Sequence, residues 1–137
     1  MRGKEYLLRY RKAIHAKDAA LAELEEKQHT LSGLRAIQLS DMPKAHNHLR
    51  DLSDAFAAVE DSVKRCNTVI SNAEQTMQEI TDTLERIRNE NQRIVLHMKY
   101  VRGYSWREMM IATGHSKTWI HTQHRAGLDA VDEIING

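Results

Sequence analysis

The chain has 137 residues, of which 41% are apolar, 28% charged and 5% aromatic, with a formal net charge of +1. That balance argues against general disorder and suits one or two small folded domains. One proline and six glycines leave few helix breakers, so the composition predicts an all-α protein, and the spacing of its apolar, capping and turn residues arranges it as a long coiled-coil helical hairpin followed by a C-terminal helix-turn-helix domain.

The first predicted helix covers 3–30. Leu7, Tyr10, Ile14, Leu21, Leu24 and Leu31 follow a heptad spacing, interrupted by Lys17 and Gln28. Residues 31–45 are expected to form a connector, punctuated by Gly33 and by the turn chemistry of Ser40-Asp41-Met42-Pro43. Leu34, Ile37 and Leu39 suggest that part of it still packs.

From about Lys44 the pattern becomes regular. Leu52, Val59, Cys66, Ala73, Ile80 and Ile87 recur every seven residues, and Phe56, Val63, Ile70, Met77 and Leu84 fill the second seam position. Such a run predicts a coiled-coil helix roughly 60 Å long. A helix of that length cannot bury its stripe alone. The shorter first helix covers only part of it, so Leu52, Phe56, Val59, Val63, Cys66, Ile70, Met77, Ile80 and Leu84 are candidate oligomerisation residues, in a homodimer at the simplest. The polar stretch Asn89-Glu90-Asn91-Gln92 is expected to break, kink or freshly cap the chain. This divides it into an oligomerisation region, 1–88, and a C-terminal domain, 89–137.

In that domain Ile94, Val95, Met98 and Val101 give a supporting helix its apolar face, ending at Gly103. Ser105 with Glu108 three residues later is a capping box. Gly114 stands where a tight turn needs positive φ. Ser116 then caps a second helix, on which Ile120, Gly127, Leu128 and Val131 share a face. The other face offers Lys117, Thr118, His121, Thr122 and Arg125, donors suited to phosphates and base edges in a major groove. Lys117 and Arg125 suit phosphate contact; Thr118, His121 and Thr122 suit base edges. Ser105 and Arg107 lie at a helix N-terminus that favours a phosphate. For Trp119 two roles stand, a wedge against the DNA or a cover for the supporting helix, with the structural role preferred. Trp106, Tyr100 and Tyr104 are expected to pack the domain, and His124 to be a partly buried helix residue. Charge follows the same division. Residues 93–125 hold six Lys/Arg against one acid, whereas 49–90 hold five against nine, and a local basic patch is the footprint of a nucleic-acid partner.

The run from Arg93 to Val131 resembles region 4 of sigma-70-type transcription factors. The likeness rests on Ile94 and Leu96, Lys99-Tyr100, Gly103, Ser105, Gly114, Ser116 and Gly127-Leu128. Met110, Thr113, His115 and Gly127 depart from the Ala or aliphatic residues usual there. The whole layout, with a connector like Asp41-Met42-Pro43-Lys44, is similar to phage regulators of the ArpU/RinA type. That resemblance implies an activator of phage or prophage late-gene transcription in the host cytoplasm, with double-stranded DNA and RNA polymerase as partners.

Other classes fare worse. A packaging adaptor resembling a terminase small subunit would usually carry its DNA domain first. A coiled-coil protein that docks on RNA polymerase without DNA contact is a third reading. The pairs His46-x-His48 and His121-x-x-His124 fall short of the four ligands of a zinc site, so no metal and no cofactor are expected. No phosphate loop, nucleophile elbow or carboxylate pair points to an enzyme. No apolar run reaches the roughly 20 residues of a membrane span, the N-terminus is unlike a secretory signal, and the single Cys66 fits a reducing compartment.

Overall fold

The computed structural model of the protein describes residues 2–38 and 46–137, and among these all regular structure is helical. Helix α1 spans Gly3–Gln38, α2 His46–Glu85, α3 Glu90–Leu96, α4 Trp106–Thr113 and α5 Lys117–Asn136, with a π-turn at His97–Val101 continuing α3. Among the described residues no helix is long and apolar enough to cross a membrane. Packing groups the chain into two compact units, Met1–His15 with Glu74–Gly137, and Ala16–Ala73.

The expected connector is corrected at its start. Residues 31–38 continue α1, because Leu31 and Leu34 are half-buried and hold the helix across the exposed Gly33. A single mid-helix glycine costs only about 1 kcal/mol, less than burying one leucine side chain, at about 1.5–3 kcal/mol. The turn expected at Ser40-Asp41-Met42-Pro43, with Leu39, lies outside the described residues, as do the side chains of His46 and His48.

Among the described residues of the Ala16–Ala73 unit, those buried are Ala20, Val59, Ser62, Cys66 and Ala73. Leu52, Phe56, Val63 and Ile70 are half-buried. Leu21 does not take its expected seam place and is 43% exposed; Ala20 turns inward instead. On α1 the inward line in this unit runs Lys17, Ala20, Leu24, Lys27, Leu31, Leu34, with Ala20 buried and the others half-buried. That spacing alternates three and four, but small and charged residues fill half of it, so apolar residues alone point to the wrong register. Burial and the neighbouring Glu23 carboxylate push the Cys66 thiol pKa up, which keeps it a protonated core group.

The other unit is built differently. Leu7 and Tyr10 from α1, Ile80 and Leu84 from α2, Ile87, Leu96, Tyr100 and Val131 form one buried cluster. Ile80 and Leu84, expected to face a second chain, are thus enclosed by residues of their own chain. Helix α2 stops at Glu85, so Ile87 is not a helical seam residue. It plugs the turn after α2, where its amide donates to the Leu84 carbonyl (3.1 Å) and its carbonyl accepts from Arg93 Nη1 (2.8 Å). The start of α1 is tied in by polar contacts. The Tyr6 hydroxyl meets Thr83 Oγ1 at 2.8 Å, Arg11 Nη2 donates to the Val101 carbonyl at 3.1 Å, and the Gly3 amide donates to the Asp132 carboxylate. An anion at that position also suits the positive end of α1.

Candidate nucleic-acid interface

The residues singled out in 89–137 sit on a chain of well-formed caps. Asn89, with extended backbone, accepts the Gln92 amide at 3.1 Å and starts α3. Of the three outcomes expected for this stretch, two occur together: the helix breaks after Glu85, and Asn89 freshly caps the next one. The supporting helix is not uniform. It widens after Leu96, and the Arg102 amide reaches back five residues to the His97 carbonyl at 3.0 Å. Val95 and Leu96 carry its buried face, while Ile94, expected there, is 37% exposed.

Ser105 caps α4 in a complete capping box: its Oγ accepts the Glu108 amide at 3.1 Å, and Glu108 Oε1 accepts the Ser105 amide at 3.4 Å. Gly114 ends α4 at φ +70°, a left-handed conformation that a side chain would strain. Ser116 then caps α5 by accepting the Trp119 amide at 3.2 Å. Two close contacts hold α5 against the elements before it. Val95, Met109 and Ile120 are fully buried together. Farther along, a Cβ on Gly127 would lie 2.8 Å from Leu96 Cδ1 and 2.9 Å from its Cγ, so the missing side chain permits the approach of α3 and α5.

That packing leaves the opposite ridge of α5 in solvent. Lys117, Thr118, Thr122 and Arg125 are exposed, as are Ser116, Ser105 and Arg107. The Thr122 hydroxyl donates to the Thr118 carbonyl at 2.9 Å, which leaves its oxygen free to accept. The α4 N-terminus differs from expectation, since the Glu108 carboxylate already takes the Ser105 amide. One donor expected for a phosphate is therefore engaged, and a negative charge stands beside it.

The aromatic residues organise the inner side of this ridge. Trp119 is half-buried, packs on the Val95–Met109–Ile120 cluster and stacks on His115 with ring centroids 3.6 Å apart and planes 12° apart. This is the covering role rather than the wedge. Trp106 lies between His121 (4.3 Å) and His124 (5.0 Å, edge-on), with Lys99 Nζ 4.5 Å above its ring. His121 is thus drawn half inward, away from the fully exposed position expected of a base-edge reader. The Tyr100 hydroxyl bonds His124 Nε2 at 2.8 Å. Burial pulls the His124 pKa down to about 4, helped by the positive neighbours His121, Lys99 and Lys4, and burial pushes the Tyr100 hydroxyl up to about 12. Both are therefore neutral near pH 7, and their bond places no charge inside the unit.

Sequence patterns did not reveal the Lys99–Trp106 contact or the approach of Lys4 to this site. Lys4 is 120 positions from His124, and no local periodicity links them. The His115–Trp119 stack, by contrast, carries the i,i+4 spacing of a helical neighbour pair. Among the described residues no cluster of three or more His, Cys, Asp or Glu is arranged to hold a metal ion. Compared with protein-family models, curated proteins and solved structures, the chain matches none.

Proposed function

We propose that residues 89–137 form a helix-turn-helix domain whose α5 enters the major groove of double-stranded DNA, and that the protein is a transcription regulator. The observation that carries this reading is the division of α5. One face is closed by Ile120, Gly127 and Val131, and the other presents Lys117, Thr118, Thr122 and Arg125 from the first capped turns onward. An ordinary solvated helix face would also be polar. The local excess of cations, and the short turn at Gly114 that sets α4 behind α5, favour the DNA reading. In it Lys117 and Arg125 neutralise phosphates, and Thr118 and Thr122 contact base edges, each good bidentate base contact discriminating by about 1–3 kcal/mol.

The resemblance to ArpU/RinA-type regulators adds late-gene activation in a phage or prophage, in the bacterial cytoplasm, with RNA polymerase as a further partner. A homodimer would join through the coiled-coil residues that remain half-exposed, Leu52, Phe56, Val63 and Ile70, and would present two reading helices to two half-sites.

Selection of genomic fragments on the purified protein, followed by fluorescence anisotropy, tests the reading. The double substitution Lys117→Ala/Arg125→Ala is expected to weaken binding at least about tenfold at low salt and to reduce the salt slope by about 2. Unchanged affinity would remove α5 from the interface. Light scattering tests the dimer; a large ring would instead favour the packaging-adaptor reading.

A further inference from the structure

The end of α2 and the α3–π-turn segment enclose a half-open cleft of about 300 Å³. Its apolar lining comes from Leu84, Ile94 and Met98, and its charged rim from Arg93 and Arg102, with His97 between the two. An apolar cavity of about 150 Å³ holds benzene, so this one accommodates an aliphatic chain of about eight carbons or a bicyclic ring.

The π-turn shapes the rim. In an α-helix, residues five apart stand about 140° apart around the axis. Here one whole turn separates His97 from Arg102, as the bond from the Arg102 amide to the His97 carbonyl records, so the two side chains share a side. The Arg102 charge accordingly joins burial in holding the His97 pKa down, and the imidazole is neutral near pH 7. A π-turn is a costly departure from the α-helix and tends to persist where it positions a functional group. Arg93 is anchored at its base, because Nη1 donates to the Ile87 carbonyl at 2.8 Å. Its remaining guanidinium donors are held at the cleft without a further ordering cost. Glu85 lines the same cleft, and the two guanidiniums outweigh its single carboxylate. The combination of an apolar floor with a cationic, pre-ordered rim is complementary to one class of small molecule.

We propose that this cleft binds an organic carboxylate with an apolar body, its carboxylate held by Arg93 and Arg102 and its body laid over Ile94 and Met98. A ligand there bridges the end of α2 and the π-turn behind α4. The site stands whether or not α5 contacts DNA.

Titration of the full chain with octanoate and with 2-naphthoate, followed by amide NMR shifts, tests the site, with octylamine and 1-octanol as the cationic and neutral counterparts of octanoate. Saturable shifts clustered at residues 84–102 are expected for both carboxylates, and much weaker ones for the amine and the alcohol. Arg102→Gln should weaken octanoate at least about tenfold by removing a charge-assisted bond, with helicity unchanged because Arg102 is exposed. Ile94→Ala, at a second exposed position, should weaken it through the floor instead, with no change of charge. Equal binding of octanoate, octylamine and octanol, shifts scattered over the chain, or indifference to both substitutions would overturn the assignment.

Discussion

The two units differ in what fills them. Among the described residues, the nine largest fully buried side chains, among them Leu7, Ile80, Leu84, Leu96, Met109 and Ile120, all belong to the unit that joins the chain's start to Glu74–Gly137. The described residues of the Ala16–Ala73 unit bury two alanines, a valine, a serine and a cysteine. The difference teaches what a helical seam supplies and what a converging core supplies. Two helices share a narrow stripe, so each seam residue stays near solvent and small residues pass as adequate. Where five elements meet, a leucine can be enclosed on all sides, for about 1.5–3 kcal/mol per side chain. The first unit can therefore hold a precise surface such as the α5 ridge, whereas the second leaves Leu52, Phe56, Val63 and Ile70 only half-buried.

The largest expected effect tests that contrast directly. Leu96→Ala should destabilise the protein by about 2–5 kcal/mol through the cavity it leaves. Val59→Ala should cost only about 1–2 kcal/mol, near the transfer value of the atoms removed. Urea unfolding, followed by fluorescence of Trp106 and Trp119 and by far-ultraviolet circular dichroism, measures both; equal losses would break the contrast. Next comes Gly127→Ala. The added methyl must displace Leu96, itself fully buried, and overpacking of this kind costs about 1–3 kcal/mol.

A pH dependence should follow from His124. Its folded pKa of about 4 lies below the ordinary 6.5, so between those values the unfolded chain binds the proton more readily. The stability contributed by the neutral imidazole is complete above about pH 6.5 and is lost as the pH falls towards 4. The melting temperature should drop over that window, and less steeply in His124→Gln. Parallel curves for the two proteins would show that His124 is not the titrating group.

The smallest effect has the opposite sign. Gly33→Ala in α1 meets nothing within 4 Å and should stabilise by about 0.5–1 kcal/mol, by helix propensity and reduced freedom of the unfolded chain. The same chemical change would then destabilise one unit and stabilise the other; a loss at both positions would mean that α1 is packed more tightly at Gly33 than its open surroundings imply.

Much of this was legible because caps and turns are local. Asn89, Ser105 with Glu108, Gly114 and Ser116 each act within four residues, and their side chains compete for amides no farther away than that. The seam of α2 was legible from its sevenfold spacing as far as Leu84. Ile87 was misplaced because the spacing continues past the helix that carries it. Leu21 and Ala20 exchanged places because apolarity alone does not say which of two adjacent residues points inward on a stripe shared with lysines. The site followed the same rule. The exposure of Lys117, Thr118, Thr122 and Arg125 follows from the face left by Ile120 and Gly127, whereas the half-buried state of His121 depends on Trp106, which reaches it from another helix.

By itself, then, the order of residues determined where helices begin, where most of them stop and which side of each is apolar, because those preferences are set by hydrogen bonds and side-chain spacing within a turn or two. Only the tertiary structure decided that Leu7 and Tyr10 close a core with Val131, that Ile80 and Leu84 are spent inside the chain, and that a π-turn sets Arg102 beside His97. Those outcomes depend on which distant surfaces fit together at close-packed density, a property of volumes in space that no window along the chain contains.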